Sequence, residues 1–354
     1  MTKEKSLIDL AAGDRILISR SDRLGDLVLA LPFVETMKLR YPECKIDVLA
    51  SLYASPILEN NKRIDGIVRV QNDQLVTNKL YKKDLLARIR RSKYKAVVAL
   101  FPERHICHLF YKADIPIRIG TAGRFHSFLF NYRLRHSRKA MKKHEAEYNF
   151  DFLRYFIDGE SVSRPHVYPR EKELNNASRL LKEAGVANPF VVLHPGSGGS
   201  AERWPFVQFI ALYKALTEAG VDVVISGSEA EGEAIEQLAQ RQNVTIRKVT
   251  GETDLRALAA VLSKADVVVA NSTGPLHLAV AVGTKVVGLY PSKNVMSPKR
   301  WGPLGESDRV IVPDTGDCTC PPKACTCMET ITVDQVAKEV FALLGRRTMA
   351  ARHV

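Results

Sequence analysis

Apolar runs of about four to six residues recur along this chain, each closed by turn formers and followed by a longer stretch with apolar positions at helical spacing. The first run, 15–19, leads through Arg20-Ser21-Asp22-Arg23-Leu24-Gly25-Asp26 into a helical pattern over 27–40 that stops at Tyr41-Pro42. Further strands are predicted at 45–50, 64–70, 95–101 and 115–119, with a short helix at 56–60, a basic amphipathic helix at 79–91 and helical spacing over 144–157. Pro165 and Pro169 interrupt the alternation within 161–170, which marks a linker. Beyond it the pattern restarts with a helix at 171–184, strands at 190–194, 221–226 and 245–249, and helices at 205–219, around Glu229-Glu231-Glu233, and at 255–264. A strand at 267–270, a short helix from Gly274-Pro275 to Gly283, a strand at 286–289 and an amphipathic helix at 333–344 complete the chain. Proline fits the first helical turn, where its missing N–H is not needed, and glycine fits the helix end.

Repeated strand–helix alternation on both sides of a linker predicts an α/β protein of two doubly wound, Rossmann-like domains facing a central cleft at the strand carboxyl ends. The expected boundaries are 1–163, 164–330 and a last helical segment, 331–354.

Charge changes this picture. The net charge of +13 divides into +12 over 1–164 and +1 over 165–354, so an anionic partner is expected on the first half. The densest stretch, 112–143, holds nine Lys/Arg and one acidic residue, Asp114, interleaved with Phe125, Phe128, Leu129, Phe130 and Tyr132. Anionic lipid, a phosphorylated glycolipid or nucleic acid would each fit it. No apolar run is long enough to span a membrane and the start lacks a signal-peptide core, so a cytosolic location is expected. Of six cysteines, Cys44 and Cys107 are isolated, whereas Cys318-x-Cys320 and Cys325-x-Cys327 form a cysteine-rich loop whose spacing suits a tetrahedral metal site poorly.

Four predicted strand ends in the second half carry small polar loops: Pro195-Gly196-Ser197-Gly198-Gly199-Ser200, Ser226-Gly227-Ser228, Thr250-Gly251-Glu252 and Asn271-Ser272-Thr273-Gly274-Pro275-Leu276-His277. Glycine admits close backbone approach, hydroxyls donate hydrogen bonds, and a helix start favours phosphate. A nucleotide diphosphate is the ligand these loops suit. Neither a Gly-x-Gly-x-x-Gly after the first strand of either half nor a Walker sequence is present. Ser197, Gly198, Gly227, Thr250, Ser272, Thr273 and Gly274 are candidate donor contacts. His277 could donate to a phosphate or pack beneath its loop. Arg203 could supply a cation or stack on Trp204. No Asp-x-Asp occurs, so helix ends and cations, rather than a divalent metal, are expected to hold the diphosphate. In the first half, Asp26 could cap its helix or accept a proton from an attacking hydroxyl, with Arg20 and Arg23 beside it for an anionic acceptor.

Together these residues resemble glycosyltransferase family 9, the heptosyltransferases of lipopolysaccharide synthesis. The resemblance rests on 16–32 with its Leu-Gly-Asp, on His194-Pro-Gly-Ser-Gly-Gly-Ser-Ala-Glu-Arg-Trp-Pro205 and on Asn271-Ser-Thr-Gly-Pro-Leu-His-Leu-Ala279. Lys143-His144-Glu145 and Cys327-Met328-x-x-Ile331-x-Val333 also fit. It implies a GT-B fold whose last helix crosses back onto the first domain, and metal-independent inversion with no cofactor beyond an ADP-heptose donor. It makes Asp26 the base, Thr273, Gly274 and His277 diphosphate contacts and Glu231 a ribose contact. Arg20, Arg23, Arg124 and His144 fall to an acceptor such as a Kdo-bearing lipid A precursor. A monomer in peripheral contact with the cytoplasmic leaflet of the inner membrane, binding no nucleic acid, is the implied state. Ser272 replaces an Asp common in the family, and Glu202 a Lys. Two other readings are a nucleotide-sugar epimerase, which needs paired acid and base carboxylates at the sugar, and a basic nucleic-acid-binding protein, which leaves the four polar loops unexplained.

Overall fold

A computed structural model describes residues 8–157, 159–187, 189–199, 202–251, 253–314, 316, 318 and 326–345. The chain forms two compact units, 1–165 and 166–354.

The first unit is a six-stranded, wholly parallel sheet of order β3-β2-β1-β4-β5-β6. Its strands are β1 (Arg15–Ser19), β2 (Lys45–Ser51), β3 (Gly66–Val70), β4 (Ala96–Ala99), β5 (Ile117–Thr121) and β6 (Tyr132–Leu134). β1 and β4 are buried on both faces, which is why they read as near-continuous apolar runs. One face packs Leu17, Leu49 and Val97 against Leu85 and Ile89 of α4 (Lys79–Arg91) and against Ile106, Leu109 and Phe110 of α5 (Arg104–Lys112). Asn78 starts α4 by accepting from the N–H groups of Leu80 and Tyr81, and Arg88, Arg90 and Arg91 complement the helix dipole at its end.

The helix expected over 27–40 is two: α1 (Leu24–Val28) and α2 (Leu31–Arg40). Pro32 lies in the first turn of α2, where it can neither donate an N–H nor tolerate the carbonyl of Val28, so the helix breaks at Leu29-Ala30. A short helix α3 (Asn72–Thr77) precedes α4, and the pattern over 144–157 resolves into α6 (Glu145–Phe150) and a 3-10 turn, Asp151–Tyr155.

The second unit holds a five-stranded parallel sheet of order β11-β10-β9-β7-β8. It comprises β7 (Phe190–His194), β8 (Asp222–Ile225), β9 (Val267–Asn271), β10 (Lys285–Leu289) and β11 (Arg309–Ile311). Its helices are α7 (Glu171–Glu183), α8 (Phe206–Glu218), α9 (Glu229–Arg241), α10 (Leu255–Lys264), α11 (Gly274–Val282), α12 (Pro298–Trp301) and α13 (Val333–Leu343). The strand expected at 245–249 is only one parallel bridge, Lys248 to Ile225. Arg247 and Lys248 pair with Asp222 and Glu236, while Val249 is buried.

The last helix, α13, contributes to the core of the second unit. Val336, Val340 and Leu343 of α13 join Val191, Leu193 and Trp204 in the buried core of the second unit, so the apolar face of this helix is used there. Residues 346–354 of the expected last segment lie outside the described residues. Among the described residues no helix is long and apolar enough to cross a membrane.

Candidate active site

In a doubly wound sheet, ligands bind beyond the strand carboxyl ends where the strand order reverses. In the first unit that point lies between β1 and β4, and the chain leaving β1 carries Arg20 and Asp26 there. Asp26 is not the helix cap. Arg23 takes that place, and Asp26 is the third residue of α1, with its side chain largely buried.

Arg20 is 2% exposed, and every nitrogen of its guanidinium is engaged. Nε donates to Asp22 Oδ1 at 2.8 Å, and Nη1 to Glu145 Oε1 at 3.1 Å and Asn149 Oδ1 at 3.0 Å. Nη2 donates to Asp26 Oδ1. Arg20, expected to face the acceptor, here contacts Asp26 with a guanidinium that these side chains surround. Glu145 also accepts from Arg138 Nε at 2.9 Å, and Asn149 Nδ2 donates to the Leu29 carbonyl at 3.1 Å. Glu145 and Asn149 are four apart on α6 and so share a helix face.

The two partners respond to this network in opposite ways. Burial works against the Arg20 charge, but Asp22, Asp26 and Glu145 more than offset it and hold the guanidinium protonated. Asp26 has only a share of that one cation. Burial therefore prevails, and with Asp22 and Glu145 adding to the rise its carboxyl moves from 3.8 up to about 6. Such a group is ionised at neutral pH yet more basic than an ordinary aspartate.

The other first-unit candidates scatter. Arg23 is exposed at the start of α1. Arg124 is exposed, with its guanidinium carbon 4.9 Å from the centre of the Phe101 ring, which Arg20 also approaches at 5.6 Å. His144 caps α6, accepting from the Ala146 N–H while Glu147 accepts from the His144 N–H. Asn149 and Phe101 were not singled out by sequence reasoning, and Arg138 and Glu145 were read only as parts of the basic stretch and of the Lys143-His144-Glu145 segment. The Lys143-His144-Glu145 segment thus contributes Glu145 to the Arg20 network and His144 to the start of α6.

In the second unit the order reverses between β7 and β9. Asn271, fully buried at the end of β9, joins the loops there. Its Nδ2 donates to the Pro195 carbonyl at 2.9 Å, and its Oδ1 accepts from the Trp204 N–H at 2.9 Å. Trp204 is itself buried, its indole N–H on the Ile331 carbonyl and its ring edge-on to Phe209.

Glu231 braces the neighbouring loops. It accepts from the Ser228 N–H at 3.0 Å, the Ser228 hydroxyl at 2.9 Å and the Ser197 N–H. Burial would raise its pKa, but these bonds and nearby His194 outweigh it and lower the value. A Cβ on Gly196 would lie 2.3 Å from Glu231 Oε1, so only glycine admits the brace. Burial drives His194 down to about 4, and its Nδ1 lies 2.9 Å from the Ser226 hydroxyl. Gly198 and Gly199 follow with φ of +51° and +72°, a backbone that L side chains rarely adopt. Gly227 packs against the same Glu231 carboxylate, and the Thr250 side chain fills the space that Gly232 leaves open.

Thr273 occupies the N-cap position of α11 without a side-chain cap bond, its hydroxyl donating instead to the Asn271 carbonyl at 3.2 Å; Gly274 opens the helix, and His277 is buried in it. Ser272 bonds the Tyr290 hydroxyl, which donates to the Trp301 carbonyl at 2.6 Å. The residue in place of the family's Asp therefore ties β9 to the segment after β10. Arg203 is exposed and stacks over Phe206, not over Trp204. Glu202 pairs with Lys293 at 2.6 Å. Among the described residues no three His, Cys, Asp or Glu are grouped as a metal site needs. Cys327 is buried and Cys318 partly so, and the Cys320 and Cys325 part of the expected loop lies outside the described residues.

The model of glycosyltransferase family 9 (heptosyltransferase) matches residues 83–330. Over 96% of its length the chain is 28% identical to the whole of a provisionally named glycosyltransferase of Haemophilus influenzae. Over 85% of its length it is 26% identical to lipopolysaccharide heptosyltransferase 2 of Salmonella typhimurium, covering 89% of that protein. The structure of the E. coli ADP-heptose lps heptosyltransferase II superposes with a TM-score of 0.76 at 24% identity, covering 94% of this chain and 98% of that one. Two parallel-sheet α/β units with these neighbours make the fold GT-B. The chain belongs to glycosyltransferase family 9, the heptosyltransferase family, and is a transferase.

Proposed function

We propose that the chain transfers heptose from ADP-heptose to a growing lipopolysaccharide core on a lipid A-type acceptor, with inversion and without a divalent metal. The observation that carries this reading is Asp26, a buried carboxylate raised to about 6 and held by Arg20 at the carboxyl end of β1. An acceptor hydroxyl attacks the anomeric carbon as its proton passes to the Asp26 carboxylate. The bond from that carbon to the diphosphate breaks, and ADP leaves with the electron pair. Attack opposite the leaving group inverts the centre. The start of α11, with Thr273 and Gly274, and the Ser197-Gly198 loop supply N–H and hydroxyl donors for the charge that develops on the leaving diphosphate. His277 supports that turn, Arg203 adds an exposed cation beside it, and Gly227, Thr250 and Glu231 face the nucleoside. Arg23, Arg124 and His144 are the remaining acceptor contacts. The enzyme acts as a monomer at the cytoplasmic leaflet and binds no nucleic acid. The epimerase reading is disfavoured because it needs a second acid–base carboxylate, and Glu145, which shares Arg20 with Asp26, is fully buried and also paired with Arg138.

The test is intact-mass analysis of lipopolysaccharide cores truncated at successive stages, incubated with the enzyme and ADP-heptose in the presence of EDTA. Addition of one heptose to one truncation stage is expected. No addition with ADP-heptose, but addition with another nucleotide sugar, overturns the donor assignment; dependence on added metal overturns the metal-free step.

A further inference from the structure

The basic stretch of the first unit contains a feature that catalysis does not use. The 3-10 helix Phe125–Leu129 buries Ser127 and Leu129 beneath it and turns Phe125 and Phe128 outward, at 89% and 60% exposure. Two adjacent phenyl rings this open on a rigid turn are expensive to leave in water. The turn is well anchored. The Ser127 hydroxyl donates to the Thr121 carbonyl at 2.9 Å, His126 Nε2 lies 3.0 Å from the Pro102 carbonyl, and Arg118 Nε donates to the Leu129 carbonyl at 2.7 Å. Arg118 also stacks on Tyr111, a further exposed ring. The surrounding sequence from 104 to 143 has ten Lys/Arg against the single acid Asp114, so the rings sit in a field that attracts anions. A rigid aromatic projection in a cationic surround matches an anionic bilayer, whose headgroups take the charge and whose acyl boundary takes the rings.

Phe101 connects this turn to Asp26. Its ring takes Arg124, the residue before the turn, at 4.9 Å and Arg20, the partner of Asp26, at 5.6 Å.

We propose that the turn 125–129 is a membrane wedge: Phe125 and Phe128 enter the headgroup–acyl boundary of an anionic leaflet and thereby hold the Asp26 edge of the first sheet at the lipid surface. This rests on the reading that the acceptor is lipid-anchored. An acceptor restricted to the leaflet then meets the base without leaving the membrane.

The test uses the full chain with vesicles of phosphatidylglycerol and phosphatidylethanolamine, and with phosphatidylcholine vesicles as the uncharged control. Wild type is expected to co-sediment with the anionic vesicles only. Phe125→Ser/Phe128→Ser is expected to bind them at least about tenfold more weakly, the loss of one buried ring being worth about that factor. In Phe128→Trp, emission of the new indole should shift to the blue on vesicle addition and be quenched by lipids brominated near the headgroup. Circular dichroism of the double variant should match wild type. Unchanged vesicle affinity of the double variant, or an indole that neither shifts nor is quenched, overturns the wedge. Either result leaves the mass assay of sugar transfer untouched, so failure of the wedge and failure of the functional reading are told apart.

Discussion

Asp26→Asn separates what Asp26 does for the reaction from what it does to the fold. Asparagine keeps the shape and the Arg20 contact of a protonated aspartate but cannot ionise. The folded-state value of about 6 lies above the ordinary 3.8, so stability from the neutral form is complete below 3.8 and is lost as pH rises through 6. That difference corresponds to about 3 kcal/mol at about 1.36 kcal/mol per pKa unit. The variant should match wild type at pH 4, and its first unit should be about 3 kcal/mol more stable at pH 8. Both tryptophans, Trp204 and Trp301, lie in the second unit, so their fluorescence reports on the other half of the chain. Hydrogen exchange of peptides covering β1 and α2, measured at both pH values, reads the correct half. Transfer by the same variant should fall by about a hundred- to ten-thousand-fold, the usual worth of a general base. A variant less stable than wild type at pH 8 would refute the reasoning, because it would mean that the Arg20 contact to an ionised Asp26 outweighs burial.

Three further outcomes follow from the same geometry. Glu145→Gln removes a charge that raises Asp26 and leaves more of Arg20 for it, so the acid limb of the pH–rate profile should move to lower pH, whereas a purely structural role would lower the rate without moving the limb. Asn271→Ala leaves the buried Trp204 N–H and the Pro195 carbonyl without their partner, at about 1–3 kcal/mol each. Urea unfolding followed by tryptophan fluorescence should show the second unit destabilised by about 2–6 kcal/mol. Gly196→Ala forces the Glu231 carboxylate off its brace, so ADP affinity by calorimetry should drop about tenfold, or about 1.4 kcal/mol, with little change in Tm.

The extent to which the sequence revealed this molecule follows from where the information lies. The helix at 79–91 and the strand at 190–194 were readable to the residue because a local apolar pattern specifies each. β6 and β11 escaped notice because they are three-residue edge strands with exposed Arg133 and Arg309, too short and polar to show a period. The polar loops after β7, β8 and β9 were legible because turn chemistry is local. The setting of Asp26 was not, since Arg20 meets Glu145 across 125 positions and Asn149 across 129. No spacing rule reaches that far, and Arg20 read alone looked like a free cation.

The central claim is that a buried aspartate, tuned by burial against a shared arginine, takes the proton of the acceptor. Its most direct test is kcat/KM for ADP release in the presence of acceptor, from pH 4.5 to 8.5. The rate should climb with the ionised fraction of Asp26, break near pH 6 and reach a plateau above it. A profile that is flat across this range, or breaks near the ordinary aspartate value, would contradict the account.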